Sequence, residues 1–460
     1  MSGIALCMKR SFVGKSSNAI FDAELLEKFR RDESSQYGLV GSDLLGKSWK
    51  RGNRPVDFGT RELAGSRQPG KLGLLSRSFP SHDRIVKEHF YVPLRRFMMQ
   101  AYANSPQKHR HWLAKLSLEC SSVRCRLQIV LIATTIWLPV QANGKSVFVG
   151  IDGRAHTSAE IDATITHVMQ AAEVPGLALA LINDGKVVYL KAYGVKNMSP
   201  NEPLTVNSVM VAGSLTKVAF AYLVMKLVDD HVIDLDKPVY EYLPRPLSDY
   251  PTWRDIANDP RSKLITTRML LSHTAGFNNS RYFDPHHRLV IHFEPGTRYS
   301  YGSEGYSLIQ LVVETVTKKS TEELMRQHVF GPLGMTRTSM VWQNAFESDH
   351  ANGYDEYGRS LGIQKRQTAQ GAGSMQTTLT DYARLTLAVL FGRGLRKQTH
   401  AQMLSAQIPI VSKFEFPPLL PDTTDEYKGI QLSYGLGVGL YHTPHGWAFF
   451  KEGHDEGWRT

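Results

Sequence analysis

The sequence predicts an α+β fold, an antiparallel sheet flanked by helices with an all-helical subdomain inserted between its strands. Three observations carry that expectation. Leu177 to Ile182 and Val187 to Tyr193 read as two strands around Asn183-Asp184-Gly185-Lys186, a hairpin turn. The middle of the chain has mostly helical period, with long loops near 250–300. Strand patterns return at Ser433 to Tyr441 and Trp447 to Lys451, so segments far apart in sequence must complete one sheet. Ahead of the first strand, Thr157-Ser158-Ala159-Glu160 has the form of a capping box, and Ile161, Ile165, Val168 and Met169 follow as a helical stripe.

Composition divides the chain. Up to Arg126 there are 23 Lys and Arg against 11 Asp and Glu, whereas the rest carries 31 against 32. The excess basicity therefore belongs to the first segment and says nothing about the partners of the remainder. That segment is rich in Arg, Ser and Gly and lacks sustained periodicity, so residues 1–122 are expected to be a disordered or mis-annotated extension. Residues 123–142 follow the pattern of a secretory signal peptide. Arg124-Cys125-Arg126 is basic, Leu127 to Val140 is apolar, and Gln141-Ala142-Asn143 supplies a small residue before a polar one. The apolar run is shorter than the roughly 20 residues of a membrane span. The expected product is a periplasmic or secreted domain over 143–460, with a membrane anchor at 127–140 as the alternative. Cys7, Cys120 and Cys125 all precede Asn143, so that domain has no disulfide and no thiolate metal site.

The richest local pattern is Ser214-Leu215-Thr216-Lys217, just ahead of an apolar helical run (Val218, Ala221, Leu223, Val224, Leu227, Val228). Residues three apart on a helix project from one face. A serine opening the helix lies in its positive N-terminal field, which favours a developing oxyanion. A lysine in an apolar wall loses charge stabilisation, so its amine can take the serine proton and an acyl-enzyme can form. By itself the pattern also fits a helix N-cap followed by a surface lysine.

Further blocks follow in order: Asp234 to Pro244, Ile265 to Phe277 (with Leu270-Leu271-Ser272-His273-Thr274-Ala275-Gly276), Pro295 to Tyr306, Gly371-Ala372-Gly373-Ser374-Met375, and Gly453-His454-Asp455-Glu456-Gly457. Together with Ser214 and Lys217 they resemble the serine β-lactamase and penicillin-binding-protein superfamily, in its class C, esterase and DD-peptidase branch, over roughly Ile161 to Thr460. The resemblance implies a β-lactamase/transpeptidase-like fold, Ser214 as nucleophile, Lys217 as its base partner and Tyr301 as a proton relay. Ser303 stands where many relatives carry an asparagine that binds a substrate amide. A serine cannot offer both that donor and that acceptor, so an esterase or D-amino-acid peptidase is favoured over a β-lactamase. His454 matches the lysine-or-histidine position of the third motif and is expected to supply positive potential or a hydrogen bond near a substrate carboxylate. Glu456 replaces the usual glycine. Its strand is expected to pair a backbone N–H with that of Ser214 as an oxyanion hole, its carboxylate crowding an acidic substrate.

The implied activity is hydrolysis of a small ester, amide or D-amino-acid peptide without cofactor. The rival is a catalytically impaired protein that binds peptidoglycan-like or acyl ligands. His286, His287 and His292 lack ligand spacing, so no metal is expected. His273 is expected to position a loop. Gly435 to Gly439 reads as a glycine-rich strand beside a tight pocket. No P-loop or RNA-binding aromatic signature occurs, so no nucleic acid is expected, and membrane contact only through the signal-like segment. The chain ends at Thr460, whereas the relatives continue that strand, add another and finish on a long helix. Without these, one sheet edge and one face are expected to stay exposed and the chain to fold poorly.

Overall fold

The computed structural model describes residues 2–9, 147–150, 153–413 and 422–460. The signal-like segment 123–142 and most of the basic extension lie outside the described residues. No helix among those described is long and apolar enough to cross a membrane.

The first helix, α1 (Ser158–Ala171), starts as its sequence requires. Thr157 Oγ1 accepts from the Glu160 N–H at 3.3 Å while Glu160 Oε2 accepts from the Thr157 N–H at 2.7 Å. This reciprocal cap satisfies two donors that a helix start otherwise leaves open. Ile161, Ile165, Val168 and Met169 are its buried face. The hairpin also forms, with Gly176–Asn183 and Lys186–Asn197 paired in antiparallel register.

Numbering the main strands in chain order gives β1 (Ser2–Lys9), β2 (Gly176–Asn183), β3 (Lys186–Asn197), β4 (Glu202–Pro203), β5 (Ile408–Pro409), β6 (Ser433–Tyr434), β7 (Gly439–Thr443), β8 (Gly446–Phe450), β9 (His454–Asp455) and β10 (Trp458–Arg459). The larger sheet runs β9-β10-β1-β2-β3-β4. Its pairs are antiparallel except at β1, which lies parallel to both β2 and β10. A second, four-stranded antiparallel sheet runs β5-β6-β7-β8. The expected strand Ser433 to Tyr441 is thus broken. Gly435 to Val438 form a turn closed by the Gly435 N–H on the Val438 carbonyl at 2.8 Å, with Gly437 at φ +95°, outside the extended region that pairing needs.

The helical body is centred on α2 (Thr216–Asp229). Val218 to Met225 are all buried, so α2 is apolar on every face and runs through the core rather than along its surface. α3 (Ser303–Thr317) and α4 (Leu379–Phe391) pack with it in one cluster through Tyr306, Ile309, Val313, Leu385 and Val389. At roughly 25 cal/mol per Å2 of apolar area, this continuous cluster is the main reason α2 keeps its place. The result is the mixed α+β architecture that the sequence predicts.

Candidate active site

Ser214 sits at the mouth of the core. A short 3-10 turn, Gly213–Leu215, leads into α2 and leaves Ser214 half-buried while Lys217, three residues on, has no exposed surface. The turn is tied down from two sides. Thr216 Oγ1 donates to the Gly213 carbonyl at 2.6 Å and accepts from the Met375 N–H at 3.1 Å. The Ala212 N–H donates to the Met375 carbonyl at 3.0 Å.

The Lys217 ammonium donates to Ser214 Oγ at 3.0 Å, Ser303 Oγ at 3.1 Å and the Ala372 carbonyl at 2.8 Å. Three acceptors use its three protons. The acceptors come from the nucleophile turn, the start of α3 and the glycine-rich turn, so one side chain registers three segments. A buried lysine without partners would be costly.

Tyr301 is buried beside them. Its ring centroid is 5.1 Å from Lys217 Nζ and 4.8 Å from Lys451 Nζ, so two ammonium groups stand close to the ring. Its other neighbour is His273, at 4.5 Å between rings, in a cage that also includes Tyr306 and Tyr434. His273 Nδ1 accepts the Gly302 N–H at 3.1 Å, which places the proton on Nε2. Nε2 has no hydrogen-bond partner among the described residues. Burial first, then the positive charges of Lys217 and Lys451, hold the imidazole well below its ordinary value, against the Gly302 hydrogen bond, which raises it. His273 therefore stays neutral and fixes the backbone between Tyr301 and Ser303, the loop-positioning role expected of it.

This has a consequence in acid. An imidazole depressed in the folded state binds its proton more readily when unfolded. Its contribution is complete above the unfolded value near 6.5 and falls as pH drops below it, by up to about 1.4 kcal/mol per pH unit. The thermal midpoint of the full chain is expected to fall faster between pH 6.5 and 5 than that of His273→Gln. Parallel acid limbs in the two proteins would remove His273 from the account.

Two sequence expectations need correction. The His454 residue is exposed, and among the described residues its side chain makes no hydrogen bond or ring contact with Tyr301, Lys217 or Ser214. What it brings to the site is backbone, since a Cβ built on Gly213 would meet the His454 O, C and N at 2.8 to 3.0 Å. Glu456 lies in the turn between β9 and β10, exposed, its N–H taken by Asp455 Oδ1 at 2.9 Å. Its N–H is therefore not the oxyanion partner of Ser214. Asp455 is itself held by Arg366 at 2.6 Å.

The cation that faces Tyr301 is Lys451, at the end of β8, with Nζ donating to the Glu452 carbonyl at 2.8 Å. Lys451-Glu452-Gly453 thus occupies the third-motif position, three residues ahead of His454. Gly453 supports this register: a Cβ there would meet the Ala212 carbonyl at 2.5 Å and the Leu215 N–H at 3.1 Å, against the nucleophile turn. The signal available in sequence was a lysine followed two residues later by glycine, directly after a strand.

The geometry defines a class of protein: a half-buried serine bonded to a fully buried lysine, a tyrosine close to two lysine side chains, and a strand backbone packed on the turn that carries the serine. A family model described as Beta-lactamase matches residues 161–460, and the chain belongs to that family, whose members include serine hydrolases and acyltransferases. Penicillin-binding protein 4 of Amycolatopsis lactamdurans is 31% identical over 204 residues, 42% of this chain and 50% of that protein. Protein flp of Staphylococcus aureus (strain NCTC 8325 / PS 47) is 25% identical over 221 residues, 45% of this chain and 43% of that one. The chain thus spans half or less of the length of these curated relatives. Among solved structures, an octameric penicillin-binding protein homologue from Pyrococcus abyssi superposes with a TM-score of 0.52 at 23% identity, covering 64% of this chain and 68% of that one. D-alanine carboxypeptidase AmpC from Burkholderia cenocepacia gives 0.50 at 20%, covering 64% and 85%. These last two show the fold.

Proposed function

We propose that the protein is an exported serine hydrolase that forms an acyl-enzyme on Ser214 and passes the acyl group of an ester or amide to water. The observation that carries this reading is the 3.0 Å contact between Lys217 Nζ and Ser214 Oγ at a lysine with no exposed surface. In its neutral form Lys217 takes the Ser214 proton as Oγ attacks the carbonyl carbon. The Ser214 N–H and the His454 backbone N–H hold the oxyanion of the tetrahedral intermediate. Tyr301 gives its proton to the leaving oxygen or nitrogen and takes one from Lys217, so the Ser214 proton ends on the leaving group and the ester on Ser214 remains. Water then attacks that ester, one of its protons passing through Lys217 to Ser214 Oγ, and the acid is released. Lys451 supplies positive potential for an acidic substrate group.

An intact-mass experiment on the full chain tests this. A fluorophosphonate, and separately a penicillin, is expected to add one adduct to the wild type and none to Ser214→Ala. Penicillin is included because one relative bears the name of a penicillin-binding protein. A folded wild type that takes up neither probe would leave a binding protein without turnover as the better reading. Export rests on the signal-like segment alone. N-terminal sequencing of protein recovered outside the cytoplasm is expected to begin near Asn143, and a start well upstream would remove the export reading.

A further inference from the structure

Two roles compete for one nitrogen at Lys217. As a base its lone pair must meet the Ser214 proton, and as a buried amine it must keep acceptors for the protons it still carries. A neutral amine has two protons and one lone pair. Its neighbours are Ser214 Oγ at 3.0 Å, Ser303 Oγ at 3.1 Å and the Ala372 carbonyl at 2.8 Å. The carbonyl only accepts. The Ser303 hydroxyl can accept from Lys217, or it can turn its own proton onto the lone pair and compete with Ser214.

Asn279 decides between these two arrangements. The Ser303 N–H donates to Asn279 Oδ1 at 3.1 Å, and Ser303 Oγ donates to the same oxygen at 3.0 Å. A backbone N–H can only donate, so it is the oxygen of the amide that stands against Ser303. The single proton of the hydroxyl is thereby taken, and Ser303 Oγ meets Lys217 as an acceptor. The loop that carries Asn279 is clamped to α3. Arg281 donates through Nε and Nη2 to the two carboxylate oxygens of Glu304 at 3.1 and 2.8 Å, and its N–H donates to the same group at 2.9 Å. A Cβ on Gly302 would meet the Asn278 carbonyl at 2.9 Å, so the two segments pack without a gap.

We propose that Asn279 is a positioning residue for the base: by holding the Ser303 proton it makes Ser303 an acceptor only, which keeps the Lys217 lone pair for Ser214. This rests on the reading of Ser214 as nucleophile. The Ser214 proton moves to Lys217 Nζ as Oγ bonds to the substrate, and Ser303 itself carries no proton in that step. Without Asn279 the Ser303 hydroxyl donates to neutral Lys217, and that bond must break before Ser214 can react.

The test is a double-mutant cycle in the full chain, with Asn279→Leu, Ser303→Ala and the two combined. The readout is the rate of adduct formation with a fluorophosphonate, followed by intact mass at several concentrations. The bond from Ser214 Oγ to phosphorus forms as the bond to fluorine breaks, and fluoride leaves without a proton. The rate therefore depends on removing the Ser214 proton and not on returning one. Ser303→Ala removes the hydroxyl but keeps the N–H that Asn279 holds. Asn279→Leu is expected to lower the limiting rate at least about tenfold with Ser303 present, and less than about threefold in the Ser303→Ala background. The half-saturating concentration is expected to stay unchanged. Ser303→Ala alone is expected to stay within about tenfold of the wild type, since no misdirected hydroxyl remains. If Asn279→Leu loses its thermal transition, Asn279→Ala replaces it, and if neither folds the proposal falls. Equal losses from Asn279→Leu in both backgrounds would overturn it and leave Asn279 as a support for the Ser303 backbone. Loss of the adduct in Ser303→Ala would also overturn it, because Ser303 would then carry a proton. Wild type without a Ser214-dependent adduct would overturn the functional reading and this proposal with it.

Discussion

Lys217→Met is expected to acylate at least about a hundredfold more slowly than the wild type, while the fold survives. General base catalysis typically contributes about 10^2 to 10^4 in rate, and Lys217 is the amine in contact with Ser214 Oγ. Methionine is close to lysine in volume and fills irregular space without strain, so the cluster around α2 keeps its packing. The loss also leaves the Ala372 carbonyl and Ser303 Oγ without their donor, which costs stability, against the gain from removing a charge that burial disfavours. The net change in thermal midpoint is therefore small and the kinetic change large. Lys226→Met, on the same helix and bonded among the described residues to the Gly394 carbonyl at 3.0 Å, is the control. Adduct formation followed by mass at several times measures both, and near-wild-type acylation by Lys217→Met would exclude it as the base.

Gly213→Val abolishes turnover and lowers stability together. Gly213 has φ +50°, where a β-branched residue is an outlier. Any Cβ there must also displace the His454 backbone, which lies 2.8 to 3.0 Å away. Neither clash is relieved by rotating a side chain. If the His454 N–H completes the oxyanion hole, moving it costs about 10^2 to 10^3 in rate. Turnover and thermal midpoint of Gly213→Ala and Gly213→Val check this. A Val variant with wild-type activity would mean that the contact between β9 and the nucleophile turn has no part in catalysis.

The sequence made Ser214 and Lys217 legible because a helix fixes the relation of residues three apart, whatever surrounds them. The strands around Gly185 and the cap at Thr157 were legible for the same reason, since each depends on neighbours within a few residues. Lys451 was misread as His454 because a cation, a glycine and a strand end occur twice within a few residues. Only the course of β8 decides which cation reaches Tyr301. Asn279 was invisible, since its partner Ser303 lies on another element and loop conformation sets the contact. The break at Gly435 to Val438 was missed because a glycine-rich segment is compatible with both a strand and a turn.

The contact of the His454 backbone with Gly213 joins a turn in the middle of the chain to one of its last strands. Lys217 likewise draws together segments scattered over the fold. With Ser214 as the proposed nucleophile, no contiguous stretch of chain holds the whole site, so reactivity is expected only once long-range structure has closed. Labelling of Ser214 is then a readout of complete folding, and in a denaturant series it should disappear with the first loss of long-range contacts, ahead of local helix content.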